Sequence, residues 1–514
     1  MRLLDYLERP ARYTPEAACL LDATLSLSRE QVIERARAAA AGLARLALPA
    51  GSTVAILSDN CADVCVLQLG INLANCAWTG LHPSLPPPTL AEVMQYLDVK
   101  FLFFQAQYAQ QALAACEQVP ELQGAVCIDG SGTAHPGLSD WCSAAAGTPI
   151  PVHASPDIAA WVQHTGGPGG PCHGTVHSFS ALEIGLANVA DALDVDATAR
   201  HLVIAPLTHA AGIFAMSFMS VGAVNIIHAH FDAARIDAAL RGEGVTHIFL
   251  PPTALYALLD HVGERRRYPA LRCIVVAGAP VAPDRFRQAI DFFGPVLYEV
   301  YGQTESLLAL VKKPADYLRE GVIDEATARS AGRAVRFSNV ALLDDEGVEV
   351  PTGARGEIAV RSSMLMQGYH KKPEWTARTR RNGWHLTGDI GVCDERGYVT
   401  IVDRKREMVV SGSFNVFTGE VEACLERHPA VAECVVFGIP DPRWGEAVHA
   451  VVVTKDPQLT DAHLIQWAKD ELGSIKAPKS IRIAAASDLP RDAAGRIDKP
   501  RLKAPHWDGQ WRRV

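Results

Sequence analysis

Short apolar runs alternate with helical patterns over the first 330 residues, and this alternation limits the chain to few architectures. Residues 30–46 have the spacing of an amphipathic helix, and residues 52–57 form an apolar run typical of a buried strand. Strands that are joined by helices pair in parallel, so we predict an α/β fold of parallel sheets covered by helices. Further elements are predicted as a helix at 63–77 and as strands at 100–104, 124–128, 201–205, 224–228, 246–250, 274–277 and 296–299.

After residue 330 the pattern changes to short strands separated by Gly and Asp turns, which predicts a small β-rich lobe. A compact charge run at 403–407 follows the lobe. The chain that follows the charge run is long enough to form a small α+β domain. We therefore predict a large N-terminal domain (1–403) and a small C-terminal domain (404–514). The elements predicted here are strands at 340–343, 356–361, 399–403, 434–438 and 448–453 and helices at 419–427 and 460–472.

Charge and composition exclude several classes of protein. A net charge of −9 argues against a general nucleic-acid binder, which would be basic. No apolar run reaches the length of a membrane span, and acidic residues near the start break any signal-peptide core, so a cytoplasmic location is expected. The 12 cysteines are scattered, and only Cys61 and Cys65 are close. We expect them to be small buried residues in a reducing compartment rather than a zinc site.

A glycine-rich segment lies at 165–174 and contains two prolines. Glycines let the backbone approach an anion closely and point N–H groups at it. Nucleotide-binding loops usually add a lysine and hydroxyl side chains, but here those places hold His173, Pro168 and Gly169. An ordinary surface loop would also be rich in Gly and Pro, so the segment by itself leaves both interpretations open.

Three polar positions could contribute to nucleotide binding. Thr304 and Glu305 follow a predicted buried strand, where a hydroxyl and a carboxylate could hold a phosphate and its Mg²⁺. Asp389 could accept both hydroxyls of a ribose, and Arg404 could pair with a sugar hydroxyl or a phosphate. Taken singly, these residues are more typical of a polar turn or a solvated charge than of a nucleotide site.

Several short segments form an ordered series along the chain, at 165–174, 206–212, 301–305, 356–361, 368–369, 387–389, 403–404, 411–416 and 489–499. In this order they resemble the adenylate-forming superfamily of acyl-CoA synthetases, adenylation domains and luciferases. The resemblance extends from the N-terminus to about residue 504 and is closest to acyl-CoA ligases.

The resemblance implies a two-step reaction that uses ATP, Mg²⁺ and CoA. A carboxylic acid and ATP give an acyl-AMP and pyrophosphate, and a nucleophile such as the CoA thiol then displaces AMP. Such catalysis consists mostly of positioning and of clamping the transferring phosphate.

The resemblance also assigns residues to roles in this reaction. Between the two steps, the small domain would rotate about Arg406. The remaining roles are Thr304 for phosphate or Mg²⁺, Glu305 for Mg²⁺, Asp389 and Arg404 for the ribose, Gly278, Ala279, Pro280, Tyr301 and Gly302 for the adenine side, His209 for the acyl pocket, and Ser411 and Gly412 for the pantetheine channel.

The chain departs from the pattern of the family mainly in two places, the glycine-rich loop and the position of the adenylation lysine. In the glycine-rich loop, only Thr165, Gly167, Gly170 and Gly174 match, and the lysine position holds His173. Imidazole is shorter than a lysine side chain and mostly neutral at pH 7. The position of the adenylation lysine holds Arg496, whose geometry differs from that of lysine. We expect weakened handling of the triphosphate. His173→Lys should raise adenylation, especially together with Arg496→Lys.

Three functions remain open on the sequence alone. The first is an acyl-CoA ligase that acts on a carboxylic acid and CoA or another acceptor. The second is a diverged enzyme that passes an acyl group from a CoA thioester to an amine or hydroxyl without ATP, with His173 or His209 as the base near its ordinary pKa. The third is a non-catalytic binding protein. Residues 307–310 are apolar and predict one wall of an acyl pocket.

Overall fold

The computed structural model describes residues 3–130, 135–152, 155–165, 173–405, 408–411, 414–441, 445–491 and 497–508. The described chain forms two compact units. The first is built on the chain up to Val340 and on Val360–His385, and the second on Ala341–Ala359 and on the chain from Leu386 onwards. Within the described ranges, no helix combines the length and the apolar character that crossing a bilayer requires.

The strands of both units are numbered in chain order. They are β1 (Ala18–Leu21), β2 (Ser26–Ser28), β3 (Thr53–Leu57), β4 (Ala77–Leu81), β5 (Val99–Phe104), β6 (Ala125–Cys127), β7 (Ala159–Thr165), β8 (His173–Ser178), β9 (Arg200–Val203), β10 (Val224–Ile227), β11 (His247–Leu250), β12 (Cys273–Val276), β13 (Leu297–Gln303), β14 (Leu307–Lys312), β15 (Leu318–Arg319), β16 (Val322–Ile323), β17 (Arg333–Ala334), β18 (Ser338–Leu343), β19 (Arg355–Ser362), β20 (Gly368–Tyr369), β21 (Arg380–Arg381), β22 (Trp384–Cys393), β23 (Val399–Arg404), β24 (Val409–Ser411), β25 (Phe414–Val416), β26 (Val431–Asp441), β27 (Gly445–Thr454) and β28 (Ser480–Ala484).

The α-helices are numbered in the same way, and short 3₁₀ turns lie at Ala106–Tyr108 and Ala486–Asp488. The helices are α1 (Leu3–Ala11), α2 (Arg29–Ala44), α3 (Ala62–Leu73), α4 (Pro87–Tyr96), α5 (Ala109–Cys116), α6 (Leu138–Ser143), α7 (Phe179–Ala192), α8 (Ala210–Ser220), α9 (Ala233–Gly242), α10 (Pro252–Val262), α11 (Pro283–Phe293), α12 (Pro314–Tyr317), α13 (Glu325–Ala328), α14 (Pro373–Arg378), α15 (Thr418–Glu426), α16 (Asp461–Lys476) and α17 (Lys499–Trp507).

One large sheet of the first unit has the strand order β17-β14-β13-β12-β11-β9-β10-β1-β2. Its central strands, from β13 to β1, run parallel, whereas β14, β17 and β2 are antiparallel to their neighbours. Parallel strands end at the same edge of a sheet, so the segments after β9, β12 and β13 begin side by side. This edge is where an open α/β sheet binds its ligands.

A second sheet of the first unit has the order β20-β8-β7-β4-β3-β5-β6. Every residue of β3 and β4 is buried, which explains why these strands are apolar runs rather than alternating patterns. Trp78 of β4 stacks on Trp161 of β7 with ring centroids 5.3 Å apart. This pair fills the space between α3 and the sheet with two of the largest buried side chains.

Local signals in the sequence start and stop the helices. Ser28 and Gln31 form a capping box at the start of α2, in which each side chain bonds the backbone of the other residue. Helices α10 and α11 begin with Pro252 and Pro283, whose missing N–H costs nothing in the first turn. Helix α10 ends at Gly263, which has a φ of 71°, a left-handed conformation that glycine adopts without strain.

The second unit contains an antiparallel pair, β22 with β23, and a separate sheet of order β25-β24-β27-β26 to which β28 adds in parallel. Helices α15 and α16 contact the latter sheet around a core that includes Val436, Val448 and Leu464. The α+β character predicted for this region is therefore present. The fold class, parallel α/β sheets with a β-rich lobe and a C-terminal α+β domain, is confirmed.

Three predicted elements need correction. The helix expected at 63–77 ends at Leu73, because the chain reverses at Asn75 with a φ of 59° and then enters β4. The strand expected at 296–299 continues to Gln303 and pairs with β14 in a hairpin. Residues 307–310, expected to line an acyl pocket, are part of β14, where Leu308, Ala309 and Leu310 are buried in the protein core.

Candidate active site

Thr304 and Glu305 lie in the tight turn that joins β13 to β14. Gly302 makes this turn possible, because a Cβ atom at this residue would lie 2.0 Å from the carbonyl oxygen of Leu307. Leu307 itself adopts a φ of 53°, which is uncommon for a residue with a side chain. The turn is thus a sharply constrained backbone that follows a parallel strand at the ligand-binding edge of the sheet.

Side chains from two distant segments fix the orientation of this turn. The hydroxyl of Tyr369 donates to Oε1 of Glu305 over 2.8 Å, and the backbone N–H of Met366 donates to the Glu305 carbonyl over 2.8 Å. Nε2 of His177 donates to the Thr304 carbonyl over 2.6 Å. Burial lowers the pKa of His177 to about 4, so the imidazole is neutral and holds the turn as a hydrogen-bond donor.

The glycine-rich segment joins β7 to β8, and the structure describes its two ends. Thr165 and His173 are register partners at the ends of these antiparallel strands. Gly174 follows at a crowded point, since a Cβ atom there would lie 2.6 Å from Cδ2 of Leu97. Residues 166–172, which include Gly167 and Gly170, lie outside the described ranges.

His173 contacts a lysine that the sequence analysis missed. Nζ of Lys372 lies 3.2 Å from Nδ1 of His173, and it also lies over the rings of Tyr96 and Trp375 at 5.3 and 5.2 Å from the centroids. The His173 ring is 4.5 Å from that of Trp375. Lys372 is 199 residues away along the chain, and the only sequence signal was a lysine pair just after the matched segment 368–369.

Gly278, Ala279 and Pro280 are exposed residues that follow β12, next to β13, which carries the half-buried Tyr301. Gly278 has a φ of 90°, which requires glycine. The segment is held by the next residue, Val281, whose N–H donates to Oε1 of Glu299 over 3.4 Å.

Glu299 is in turn paired with a buried lysine. Its carboxylate forms an ion pair with Lys312, whose ammonium also donates to the Ser330 carbonyl over 2.8 Å. Burial raises the pKa of Glu299 and lowers that of Lys312, and their mutual attraction opposes both shifts. Sequence reasoning missed this pair because both residues lie inside strands that appeared only apolar.

His209 immediately precedes α8 at the end of a segment that follows β9. Its Nδ1 lies 3.1 Å from Oγ1 of Thr208, and its ring packs edge-on against His82 at 5.9 Å. Gly80 allows the segment to approach β4, since a Cβ atom there would lie 2.0 Å from the Thr208 carbonyl oxygen. Burial, with smaller contributions from His82 and His164, lowers the pKa of His209 to about 4. His209 is therefore a weaker base than the histidine with an ordinary pKa that we expected.

In the second unit, Asp389 and Arg404 are register partners on β22 and β23. Nε of Arg404 lies 3.3 Å from Oδ1 of Asp389, which is buried, whereas the arginine side chain is 47% exposed. Gly388 precedes the aspartate with a φ of 75° and donates its N–H to Oε1 of Glu357 over 3.0 Å. The structure therefore brings the two residues predicted to bind ribose together as one ion pair.

The remaining predicted residues of the second unit are only partly described. Ser411 pairs with Phe414 in the hairpin of β24 and β25. Arg406, Gly412 and Arg496 lie outside the described ranges. Lys499, which was considered as a substitute for Arg496, has its Nζ 2.9 Å from Oε1 of Glu422 and 3.2 Å from Oγ1 of Thr418. These bonds anchor Lys499 within the second unit.

The thiols behave as small core groups. Cys65 is fully buried on α3, and burial raises its pKa well above the ordinary value. Cys61 precedes the same helix, and burial raises its pKa to about 11. Thiols with such high pKa values are protonated at neutral pH and are poor nucleophiles. Seven of the 11 described cysteines are buried, as expected, whereas Cys61, Cys116, Cys142 and Cys393 are partly exposed.

Comparison with known proteins identifies the family. The AMP-binding enzyme family matches residues 7–370, and the C-terminal domain of AMP-binding enzymes matches residues 420–496. The chain belongs to the AMP-binding enzyme family. The predicted resemblance to the adenylate-forming superfamily near acyl-CoA ligases is thereby confirmed.

Several relatives of this AMP-binding enzyme cover nearly the whole chain. The medium/long-chain-fatty-acid–CoA ligase FadD8 of Mycobacterium tuberculosis is 34% identical over 91% of this chain and 84% of its own length. A feruloyl-CoA synthase of an Amycolatopsis species is 30% identical over 96% of this chain and 97% of its own. The solved structure of the amide bond synthetase McbA from Marinactinospora thermotolerans is 28% identical, with a TM-score of 0.87 over 98% of this chain and 99% of its own.

Proposed function

We propose that this AMP-binding enzyme is an acyl-CoA ligase. It activates a carboxylic acid with ATP as an acyl-adenylate and then passes the acyl group to CoA. The observation that carries the proposal is the turn at 304–305, in which the Tyr369 hydroxyl orients the Glu305 carboxylate at the ligand-binding edge of a parallel sheet. Relatives that are named CoA ligases and are at least 30% identical along most of the chain support it.

In the first step, the carboxylate oxygen of the acid attacks the α-phosphorus of ATP, and pyrophosphate leaves. The residues that the family resemblance assigns would hold ATP. They are Gly278, Ala279, Pro280, Tyr301 and Gly302 for the adenine side, Thr304 for the phosphate, and Asp389 and Arg404 for the ribose. A buried aspartate beside an arginine suits a vicinal diol, because the carboxylate accepts from both hydroxyls.

The site is suited to Mg²⁺. Glu305 provides a carboxylate in a half-buried turn, and Mg²⁺ typically binds one or two carboxylates together with substrate phosphates. Glu305 would hold the ion, assisted by the Thr304 hydroxyl. The ion would neutralise charge on the phosphates as pyrophosphate leaves. Tyr369 keeps the carboxylate in place by donating to Oε1.

In the second step, the CoA thiol attacks the acyl carbon and AMP leaves. The C-terminal domain, residues 404–514, would rotate about Arg406 between the steps. Arg496 would act in the conformation that forms the acyl-adenylate. Ser411 and Gly412 would border the pantetheine channel in the conformation that forms the thioester. The match of residues 420–496 to the C-terminal domain of the family supports this division of the chain.

A second candidate acceptor is an amine. The similarity to an amide bond synthetase over 98% of the chain favours it. His209 is neutral at pH 7, because its pKa lies near 4, and it would accept a proton from the attacking amine only transiently. The activation step is the same for both acceptors, so the two candidates differ only in the nucleophile.

The proposal is tested first by binding and then by turnover. Calorimetric titration of the full chain with ATP and magnesium, with AMP and with CoA requires no knowledge of the acid. We expect binding of all three. Binding of CoA without ATP or AMP would contradict the ligase and would favour transfer from a CoA thioester without ATP. Binding of none would favour a non-catalytic protein.

Turnover then identifies the acid and the acceptor. A panel of medium- and long-chain fatty acids and aryl-propenoic acids is incubated with ATP, magnesium and either CoA or a set of primary amines. Pyrophosphate release together with a thioester product is the result expected for the ligase, whereas an amide product would identify an amine acceptor. An AMP-binding protein that releases no pyrophosphate with any acid would contradict both.

A further inference from the structure

The glycine-rich loop lacks a lysine, yet a lysine ammonium lies beside its stem. We infer that Lys372 provides the positive charge for the β- and γ-phosphates of ATP, in place of a lysine at position 173. The inference rests on the proposed function, because it assumes that ATP binds at the sheet edge that carries Thr304 and Glu305. All the contacts that support it lie within the first unit.

The geometry fixes the roles of both side chains. An ammonium can only donate, so Nδ1 of His173 must accept the hydrogen bond from Nζ of Lys372 over 3.2 Å. The proton of the neutral imidazole then resides on Nε2, which becomes a second donor. The pair presents one full positive charge and one neutral N–H group at the stem of the loop. A single lysine at position 173 would present only the charge.

Two aromatic rings hold the ammonium in position. Nζ of Lys372 lies 5.3 Å from the centroid of the Tyr96 ring and 5.2 Å from that of the Trp375 ring. Both distances are within the range of cation–π attraction between an ammonium and an aromatic ring. A flexible side chain held by an imidazole and two rings is pre-organised, so less conformational entropy is lost when phosphate binds.

A chain of contacts connects the ammonium to the turn that would hold the phosphate and Mg²⁺. The ring of His173 is 5.9 Å from that of Tyr369, and the Tyr369 hydroxyl donates to Glu305. The contacts therefore run without a gap from Lys372 through His173 and Tyr369 to Glu305. A triphosphate that extends from Glu305 toward His173 would meet a positive charge from the segment after β20. The loop sequence by itself does not provide this charge.

The test compares two neighbouring lysines. Lys372→Met keeps most of the side-chain volume but removes the charge, and Lys371→Met is the matched control, since Lys371 is 51% exposed and pairs with Asp98. Calorimetry with ATP and magnesium should show affinity weakened by about 10- to 100-fold for Lys372→Met, the usual effect of losing a hydrogen bond to a charged group. AMP affinity should stay unchanged, because AMP lacks the β- and γ-phosphates, and it also reports correct folding.

The double variant Lys372→Met with His173→Lys provides a rescue. A lysine at position 173 should restore most of the ATP affinity in this variant. In the wild-type background the same substitution should give little gain, rather than the gain that the sequence led us to expect, because Lys372 already provides the charge. Unchanged ATP affinity in Lys372→Met would overturn this inference and leave the ligase proposal intact. If the wild-type protein binds neither ATP nor AMP, the proposed function fails, and this inference fails with it.

Discussion

At the scale of single residues, the hydroxyl of Tyr369 determines how Glu305 is oriented. We expect Tyr369→Phe to lower kcat/KM of the ATP-dependent reaction by about 10-fold, because Glu305 loses the hydrogen bond that fixes its carboxylate. The loss should be smaller at high magnesium concentration, since added ion compensates for a poorly oriented ligand. Steady-state pyrophosphate release measured over a magnesium series checks both effects.

Tyr13→Phe is the control for this variant, because Tyr13 is 84% exposed and far from the turn in sequence. It should match the wild-type protein at every magnesium concentration. A Tyr369→Phe enzyme with wild-type kcat/KM throughout the series would show that Glu305 does not depend on the tyrosine.

The cysteines and histidines show which properties can be predicted from residue type alone. The scattered cysteines were expected to be small buried residues, and Cys65 is buried on α3. His209 was expected to titrate near its ordinary pKa, but burial lowers its pKa to about 4. Residue type indicates which chemistry is available, whereas the pKa depends on burial, which is a property of the surroundings.

At the scale of elements, the turn between β13 and β14 depends on the absence of a side chain at Gly302. We expect Gly302→Ala to destabilise the protein by about 1–3 kcal/mol and to abolish most ATP binding, because the added Cβ would lie 2.0 Å from the Leu307 carbonyl oxygen. Thermal unfolding and ATP calorimetry of the same preparation measure both effects.

The matched control is Gly242→Ala at the end of α9, where an added Cβ meets no atom within 4 Å. Alanine is a better helix former than glycine, so this variant should be neutral or slightly stabilised. If Gly302→Ala retained both its melting temperature and its ATP affinity, the turn would be more adaptable than its backbone indicates.

Periodicity predicted most elements because apolar spacing follows directly from burial. The strands expected at 52–57 and 246–250 are found as β3 and β11, within one residue at each end. The errors arose where backbone conformation, rather than hydropathy, ends an element. Asn75 ends the α3 region through a left-handed turn that no apolar pattern signals, and β14 was mistaken for a pocket wall because core strands and pocket walls are equally apolar.

At the scale of the whole molecule, the two steps are proposed to require rotation about Arg406. We expect Arg406→Pro, which fixes φ at that residue, to retain acid-dependent exchange of pyrophosphate into ATP but to lower thioester formation by about 100-fold. Arg406→Ala should retain both reactions and serves as the control. Equal loss of both reactions in the proline variant, with wild-type behaviour in the alanine variant, would argue against a hinge that serves only the second step.

Buried histidines make stability dependent on pH. Burial lowers the pKa values of His177 and His201 to about 4, whereas their ordinary value is 6.5. Between pH 6.5 and 4 the unfolded chain therefore binds more protons than the folded one, so stability is fully present above pH 6.5 and is lost as the pH falls. The free energy of unfolding falls with decreasing pH by at most about 1.4 kcal/mol per pH unit for each histidine.

Thermal melts at intervals from pH 7.5 to 4.5 should show the melting temperature falling below pH 6.5. His201→Gln should flatten this dependence, because one of the neutral buried imidazoles is gone. A melting temperature that stays constant from pH 7.5 to 5 would contradict the assignment of these histidines as neutral in the folded state.

The sequence by itself determined the fold class, the order of the elements and the family, because these follow from local spacing and from segments that are contiguous in the chain. It also predicted roles for Thr304, Glu305, Asp389 and Arg404, which stay predictions. Only the tertiary structure placed Lys372 beside His173 and the Tyr369 hydroxyl on Glu305. The physical reason is that charge and hydrogen bonding act through space, and contacts between residues 64 to 199 positions apart leave no periodic pattern in the sequence.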